Sequence, residues 1–126
     1  MIQFLTLDDV LESHSEQITL YGGSDGVRDV GLLESALAQP AAMFGGQYLH
    51  ADVFEMAAAY LFHLVKNHPI IDGNKRVGLE AALVFLEING HSVETTDDAL
   101  VDLVLQTAQA QVAKQEIAEF LRGHAV

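Results

Sequence analysis

Two apolar runs with helical spacing, Val53 to Val65 and Val77 to Ile88, flank a stretch of eleven residues that holds four charged side chains, a proline and a glycine. In the first run Val53, Phe54, Ala57, Ala58, Leu61, Phe62 and Val65 occupy most of the helix circumference, which predicts a central helix covered on nearly every side. In the second, expected from Arg76 to Asn89, Val77, Gly78, Ala81, Ala82, Phe85 and Leu86 repeat the pattern. The small side chains at 78, 81 and 82 let another helix approach closely. His68-Pro69 ends the first helix, because a residue before proline is driven out of the α region. Asn89-Gly90 is a suitable stop for the second.

The rest of the chain reads as further helices. Thr6 can cap a helix whose inward face is Val10, Leu11, His14, Ile18 and Tyr21, ended by Gly22-Gly23. Asp29 caps a short one carrying Leu32, Leu33, Ala36 and Leu37, which stops at Pro40. Tyr21 to Val30, with three glycines and two aspartates, is a loop. Ala41 to Tyr48 contains Gly45-Gly46 and has no helical period, so a short flexible segment or an extended flap is expected. Thr95 or Thr96 caps a helix with Leu100, Val101, Leu103, Val104 and Leu105, and a last helix with Ile117, Phe120 and Leu121 ends at Gly123. The expected fold class is all-α, a single domain over residues 1–126 with about six helices and no confident strand.

Composition narrows the function. Half of the 126 residues are hydrophobic, enough for a core without staples. The absence of cysteine excludes disulfides, thiolate nucleophiles and zinc-thiolate sites, and fits a reducing cytoplasm. No apolar run reaches the roughly 18 to 20 residues of a membrane span, and Met1 to Phe4 lacks the cationic start of a signal peptide. A formal net charge of -12 repels nucleic-acid backbones, so no direct nucleic-acid partner is expected. Yet three of only six Lys and Arg residues, Lys66, Lys75 and Arg76, fall within eleven positions, as a local anion would require.

The stretch His68-Pro69-Ile70-Ile71-Asp72-Gly73-Asn74-Lys75-Arg76 has the parts of a phosphate-handling loop. Gly73 can take a positive φ, which turns backbone N–H groups outward at the start of the following helix. A helix N-terminus carries uncapped amides and partial positive charge and so attracts anions. Lys75 and Arg76 in its first turn oppose the helix dipole unless an anion meets them. Asp72 is a hard oxygen ligand of the kind Mg²⁺ accepts beside substrate phosphates, and the His68 imidazole can take a proton from an attacking hydroxyl. The set suits phosphoryl or nucleotidyl transfer, in which positioning and charge neutralisation supply most of the rate.

This stretch resembles the signature of the Fic/Doc family, His-x-Phe-x-Asp-Gly-Asn followed by Gly-Arg in the adenylylating Fic enzymes and by Lys-Arg in the death-on-curing (Doc) branch. Asn74-Lys75-Arg76 is the Doc form. Tyr21-Gly22-Gly23, Gly26-Val27-Arg28-Asp29 and Gly31-Leu32-Leu33-Glu34-Ser35-Ala36 also resemble the amino-terminal third of Doc-like proteins. The resemblance implies a compact bundle with the motif loop between two central helices. It makes His68 the general base, Asp72 the Mg²⁺ ligand, and Gly73, Asn74, Lys75 and Arg76 the contacts to the phosphates of ATP. In the Doc branch a lysine where Fic enzymes have glycine fills an anion pocket, so ATP binds reversed and its γ-phosphate meets the acceptor. That assigns Lys75 a catalytic part and implies a toxin of a toxin-antitoxin module, a protein kinase that phosphorylates a threonine of elongation factor Tu and arrests translation in the cytoplasm.

Two positions depart from the pattern. Ile70 replaces the usual Phe, and Leu79 stands where many Fic motifs have a second arginine, which suits the Doc branch. No glutamate is followed by Gly or Asn, so the inhibitory Ser/Thr-x-x-x-Glu-Gly/Asn motif of self-restrained Fic proteins is missing. Restraint is then expected from a cognate antitoxin, as an amphipathic helix in an apolar groove near the loop. The alternatives are nucleotidyl transfer by the same loop, or an idle Doc-type binding module.

Other residues are expected to be structural. His14 is read as a hydrogen-bonded core histidine, Arg28 as the ion-pair partner of Asp25 or Asp29 rather than a phosphate contact, and Lys66 as a partner of a helix C-terminus. His50, His63, His91 and His124 form no convincing ligand set, although His63, on the helix entering the loop, is a candidate supporting residue of the site.

Overall fold

The Val53 to Val65 run folds as the central helix of a six-helix protein. The computed structural model describes residues Met1 to Val126. In chain order the helices are α1 (Leu7–Tyr21), α2 (Val30–Ala38), α3 (Val53–Asn67), α4 (Asn74–Ile88), α5 (Asp97–Ala108) and α6 (Lys114–Gly123). Two strands, β1 (Met43–Phe44) and β2 (Gln47–Tyr48), lie between α2 and α3. The all-α expectation holds. Helix α3 touches α2, α4, α5 and α6, and α1 lies against α4. None of these helices is long and apolar enough to cross a membrane.

Local chemistry explains the helix starts. Thr6 accepts from the amide of Asp9 while Asp9 accepts from that of Thr6, a reciprocal capping box. Asp29, Asp52 and Thr96 accept from the amides of Leu32, Glu55 and Ala99. Of the two threonines expected to cap α5, it is thus Thr96. Helix α4 begins at Asn74 rather than at the expected Arg76, because the Asn74 side chain is tied to both backbone groups of Ile70, accepting at 3.1 Å and donating at 2.9 Å. Ala41 to Tyr48 takes the extended alternative, a two-residue antiparallel hairpin turned by Gly45-Gly46 at φ 60° and 80°.

The core is one cluster of 21 buried residues, most of them from α3, α4 and α6. Its largest members meet where the amino-terminal segment crosses the end of α4. Phe85 stacks on Phe4 at 5.7 Å and meets Tyr60 at 5.1 Å between ring centroids. The Tyr60 hydroxyl accepts from the amide of Leu5 at 2.9 Å. Burial pushes the phenol up to about 12, so it stays protonated. Helices α3 and α4 pack closely at Gly78, where a Cβ would lie 3.0 Å from Val65 Cγ2 and 3.3 Å from the Leu61 carbonyl. The small residue expected to admit another helix therefore admits α3. On the far side of α3, α6 contributes the fully buried Ile117 and Leu121.

Candidate active site

The loop between α3 and α4 is held in place mainly by residues far earlier in the chain. Asn67 ends α3, and His68 follows in the left-handed conformation, φ 48° and ψ 51°. Pro69 is buried, and its carbonyl accepts from the amides of Arg28 at 2.9 Å and Asp29 at 3.0 Å. Ile70, only 2% exposed, bridges to Val27, and the Ile71 amide reaches the Gly26 carbonyl at 3.2 Å. Isoleucine thus anchors the loop in the core where the motif usually has Phe. Asp72 is held by its backbone: the buried His14 donates from Nε2 to the Asp72 carbonyl at 2.8 Å, so His14 is the hydrogen-bonded core histidine expected.

Above these anchors His68, Asp72, Gly73, Asn74, Lys75 and Arg76 line one open cleft of about 550 Å³, together with Ile71 and Tyr21-Gly22-Gly23. The whole predicted set is therefore brought together. His68, Asp72, Lys75 and Arg76 are exposed. Gly73 is the N-cap of α4 at φ 88°, with no side chain bonded to the helix start, so the first-turn amides are uncapped beside Lys75 and Arg76. The Asp72 carboxylate has one long protein contact, the Ser24 amide at 3.4 Å from Oδ2. Gly23 makes room for it, since a Cβ there would stand 2.6 Å from the same oxygen.

Several residues are placed differently from expectation. Tyr21, assigned to the inward face of α1, is 66% exposed at the cleft edge, and its ring lies under the Arg76 guanidinium at 4.8 Å. Arg28 pairs with neither Asp25 nor Asp29. Its Nε donates to the His68 carbonyl at 2.7 Å and Nη2 to the Asn67 carbonyl at 3.1 Å, the open carbonyl end of α3. Tyr21, Gly23 and Arg28 were within the quoted Tyr-Gly-Gly and Gly-Val-Arg-Asp segments, but nothing in their spacing tied them to a loop some 40 residues on.

His63 is not part of the cleft. Its Nε2 accepts from Lys114 Nζ of α6 at 3.1 Å, beside a cavity of about 360 Å³ lined by His50, Glu55, Lys114 and Arg122. Burial, then the Lys114 ammonium, then His50 hold its imidazole down to about 4, against an ordinary 6.5. Between those values the unfolded chain binds a proton at residue 63 that the folded chain refuses. Stability from this group is therefore full above about pH 6.5 and falls as pH drops towards 4. Allowing for screening in the open cavity, the loss between about pH 7 and about pH 5 should be about 1 kcal/mol. Urea unfolding of the wild type and of His63→Gln at both pH values measures it: the variant should lose less stability on acidification, and equal losses would contradict the assignment.

The architecture and the loop agree with what sequence comparison finds. Residues 4–86 match the model of the Fic/DOC family. The chain is 37% identical over 127 aligned positions to "Toxin Doc" of Mycolicibacterium smegmatis, covering 99% of this chain and 95% of the relative. It is 30% identical over 121 positions to "Protein kinase doc" of Escherichia phage P1, covering 96% and 94%. The match takes in every residue that lines the cleft, and both relatives align almost end to end, so the chain belongs to the Fic/DOC family.

Proposed function

We propose that the protein is a Doc-type toxin, a protein kinase that transfers the γ-phosphate of ATP to a hydroxyl of a protein, the threonine of elongation factor Tu being the substrate that the resemblance implies. The observation that carries this reading is Lys75 in the uncapped first turn of α4, in one cleft with His68, Asp72 and Arg76. An ammonium on a four-carbon stem occupies space and charge that a glycine at that position would leave to a phosphate. The names of the two relatives, a Doc toxin and a Doc protein kinase, support the same assignment.

In this mechanism the first-turn amides of α4, Lys75 and Arg76 bind and orient the phosphates. Tyr21 backs the Arg76 guanidinium. His68 takes the proton of the acceptor hydroxyl as its oxygen bonds to the γ-phosphorus, and the bond from that phosphorus to the β–γ bridging oxygen breaks, releasing ADP. The donor fits Mg²⁺, because Asp72 presents a nearly free carboxylate in the cleft, the oxygen ligand this ion takes beside substrate phosphates. When bound there, the ion would neutralise phosphate charge.

Purified protein incubated with Mg²⁺, a bacterial lysate and ATP labelled on either the γ- or the α-phosphate tests the reading. Label should enter protein from the γ position and modified peptides should carry a phosphoryl group. Transfer from the α position would mark the chain as a nucleotidyl transferase, and transfer from neither as an idle binding module. Lys75→Gly should weaken phosphoryl transfer on the order of 10-fold or more, in line with losing one charge from a phosphate-binding cluster, and open the pocket to α-label. Unchanged γ-transfer in that variant would show that Lys75 does not orient the nucleotide.

The cognate antitoxin is the expected restraint. The cleft continues into a groove of about 530 Å³ between α1 and α4, which shares Tyr21 and Arg76 with it and is lined by Leu20, Leu79, Leu83 and Val84. Glu16, Glu80 and Glu87 also line it. An amphipathic helix with an apolar face and basic flanks fits this surface, and its end would reach the phosphate-binding residues.

A further inference from the structure

His68 is one of two residues other than glycine with a positive φ, the other being Ala110. A side chain at φ 48° and ψ 51° is uncommon outside glycine and persists only where the surroundings hold it. A helix that ends in this conformation is usually closed by an amide of the next residue, donated back to the last helical carbonyls. Here the next residue is Pro69, which has no amide hydrogen. The carbonyl end of α3 would be left open beside the imidazole.

Arg28 supplies the missing donors. Its Nε and Nη2 reach the carbonyls of His68 and Asn67 at 2.7 and 3.1 Å, and its positive charge suits a helix C-terminus. The planar guanidinium fork spans two successive carbonyls, which an ammonium cannot do in one geometry. Arg28 does not line the cleft, so a bound nucleotide does not explain its place. We infer that Arg28 is a positioning residue of the transfer reaction, closing the end of α3 so that the His68 imidazole is fixed over the cleft.

This inference rests on the reading of His68 as the general base, and its test separates the two. Removing the guanidinium leaves the backbone clamp, since Pro69 still accepts from the amides of residues 28 and 29 and Ile71 still reaches Gly26. Arg28→Ala should therefore fold and bind ATP with unchanged KM, while kcat falls on the order of 10²-fold, the scale of a misplaced reacting group. Arg28→Lys should recover part of kcat through a single donor, and it serves as the working variant if the alanine chain does not fold. In ¹³C-histidine-labelled protein the His68 ring resonance should move in either variant while that of His124, whose Nδ1 is bonded to the Phe120 carbonyl, stays in place.

A raised KM with unchanged kcat would make Arg28 a binding residue and overturn the proposal. So would an unmoved His68 resonance, whatever kcat does. If the wild-type chain transfers nothing from ATP, the reading of the site fails, and the resonance alone then decides the positioning.

Discussion

His68→Ala should lower transfer from ATP to its protein acceptor on the order of 10²-fold or more while leaving the fold in place, because the base that takes the hydroxyl proton is gone. The side chain is exposed, so little packing is lost. What remains is the left-handed backbone at residue 68, which alanine tolerates less well than histidine, at a cost on the order of 1 kcal/mol. His68→Asn removes the base and suits that backbone better, so the two variants should be equally inactive with the asparagine chain the more stable. The same pair can be read in cells. Expressed without an antitoxin, the wild-type chain should arrest growth and both variants, at matched protein levels, should not. Wild-type transfer by either variant would remove His68 from the chemistry, and equal growth with all three chains would argue against a toxin.

The largest loss of stability should come from Phe85→Ala. Phe85 is fully buried, stacked on Phe4 and in contact with Tyr60, and so joins the amino-terminal segment, α3 and α4. Truncating such a ring costs about 3–5 kcal/mol in lost transfer and residual cavity, a large part of the ~5–15 kcal/mol that holds a domain together. Urea unfolding at neutral pH measures it. A loss under about 1 kcal/mol would mean that the three aromatic rings repack freely and that this junction does not hold the amino terminus. Since the ring lies outside the residues that line the cleft, the folded fraction of the variant should keep its KM for ATP.

Legibility from sequence followed the range of the interactions. Helix starts set by a side chain three residues before its partner amide, as at Asp29 and Thr96, were readable, and so was the central place of α3, which follows from its own apolar circumference. The nine-residue loop was readable because its chemistry is contiguous. What escaped were side chains whose partners lie far along the chain. Arg28 has carboxylates on either side in sequence, but the carbonyls it bonds are 39 and 40 residues away. Tyr21 follows Ile18 at core spacing, yet the last turn of α1 ends at the cleft edge, where a guanidinium covers the ring instead of the core. His63 and Lys114 meet across 51 positions, a pairing that no local period encodes.

The order in which the structure is completed follows from α6. Every residue assigned to the cleft lies at or before position 76, and every long-range clamp on the loop comes from residues 14 to 29. A ribosome making this chain has therefore synthesised the whole site, with its anchors, well before it reaches α6. The helix that bears the loop is another matter: the face of α3 that α6 covers stays bare until Ile117 and Leu121 have been made. For a protein proposed to arrest translation, the chemistry is written early but the body that steadies it closes only once α6 has been made.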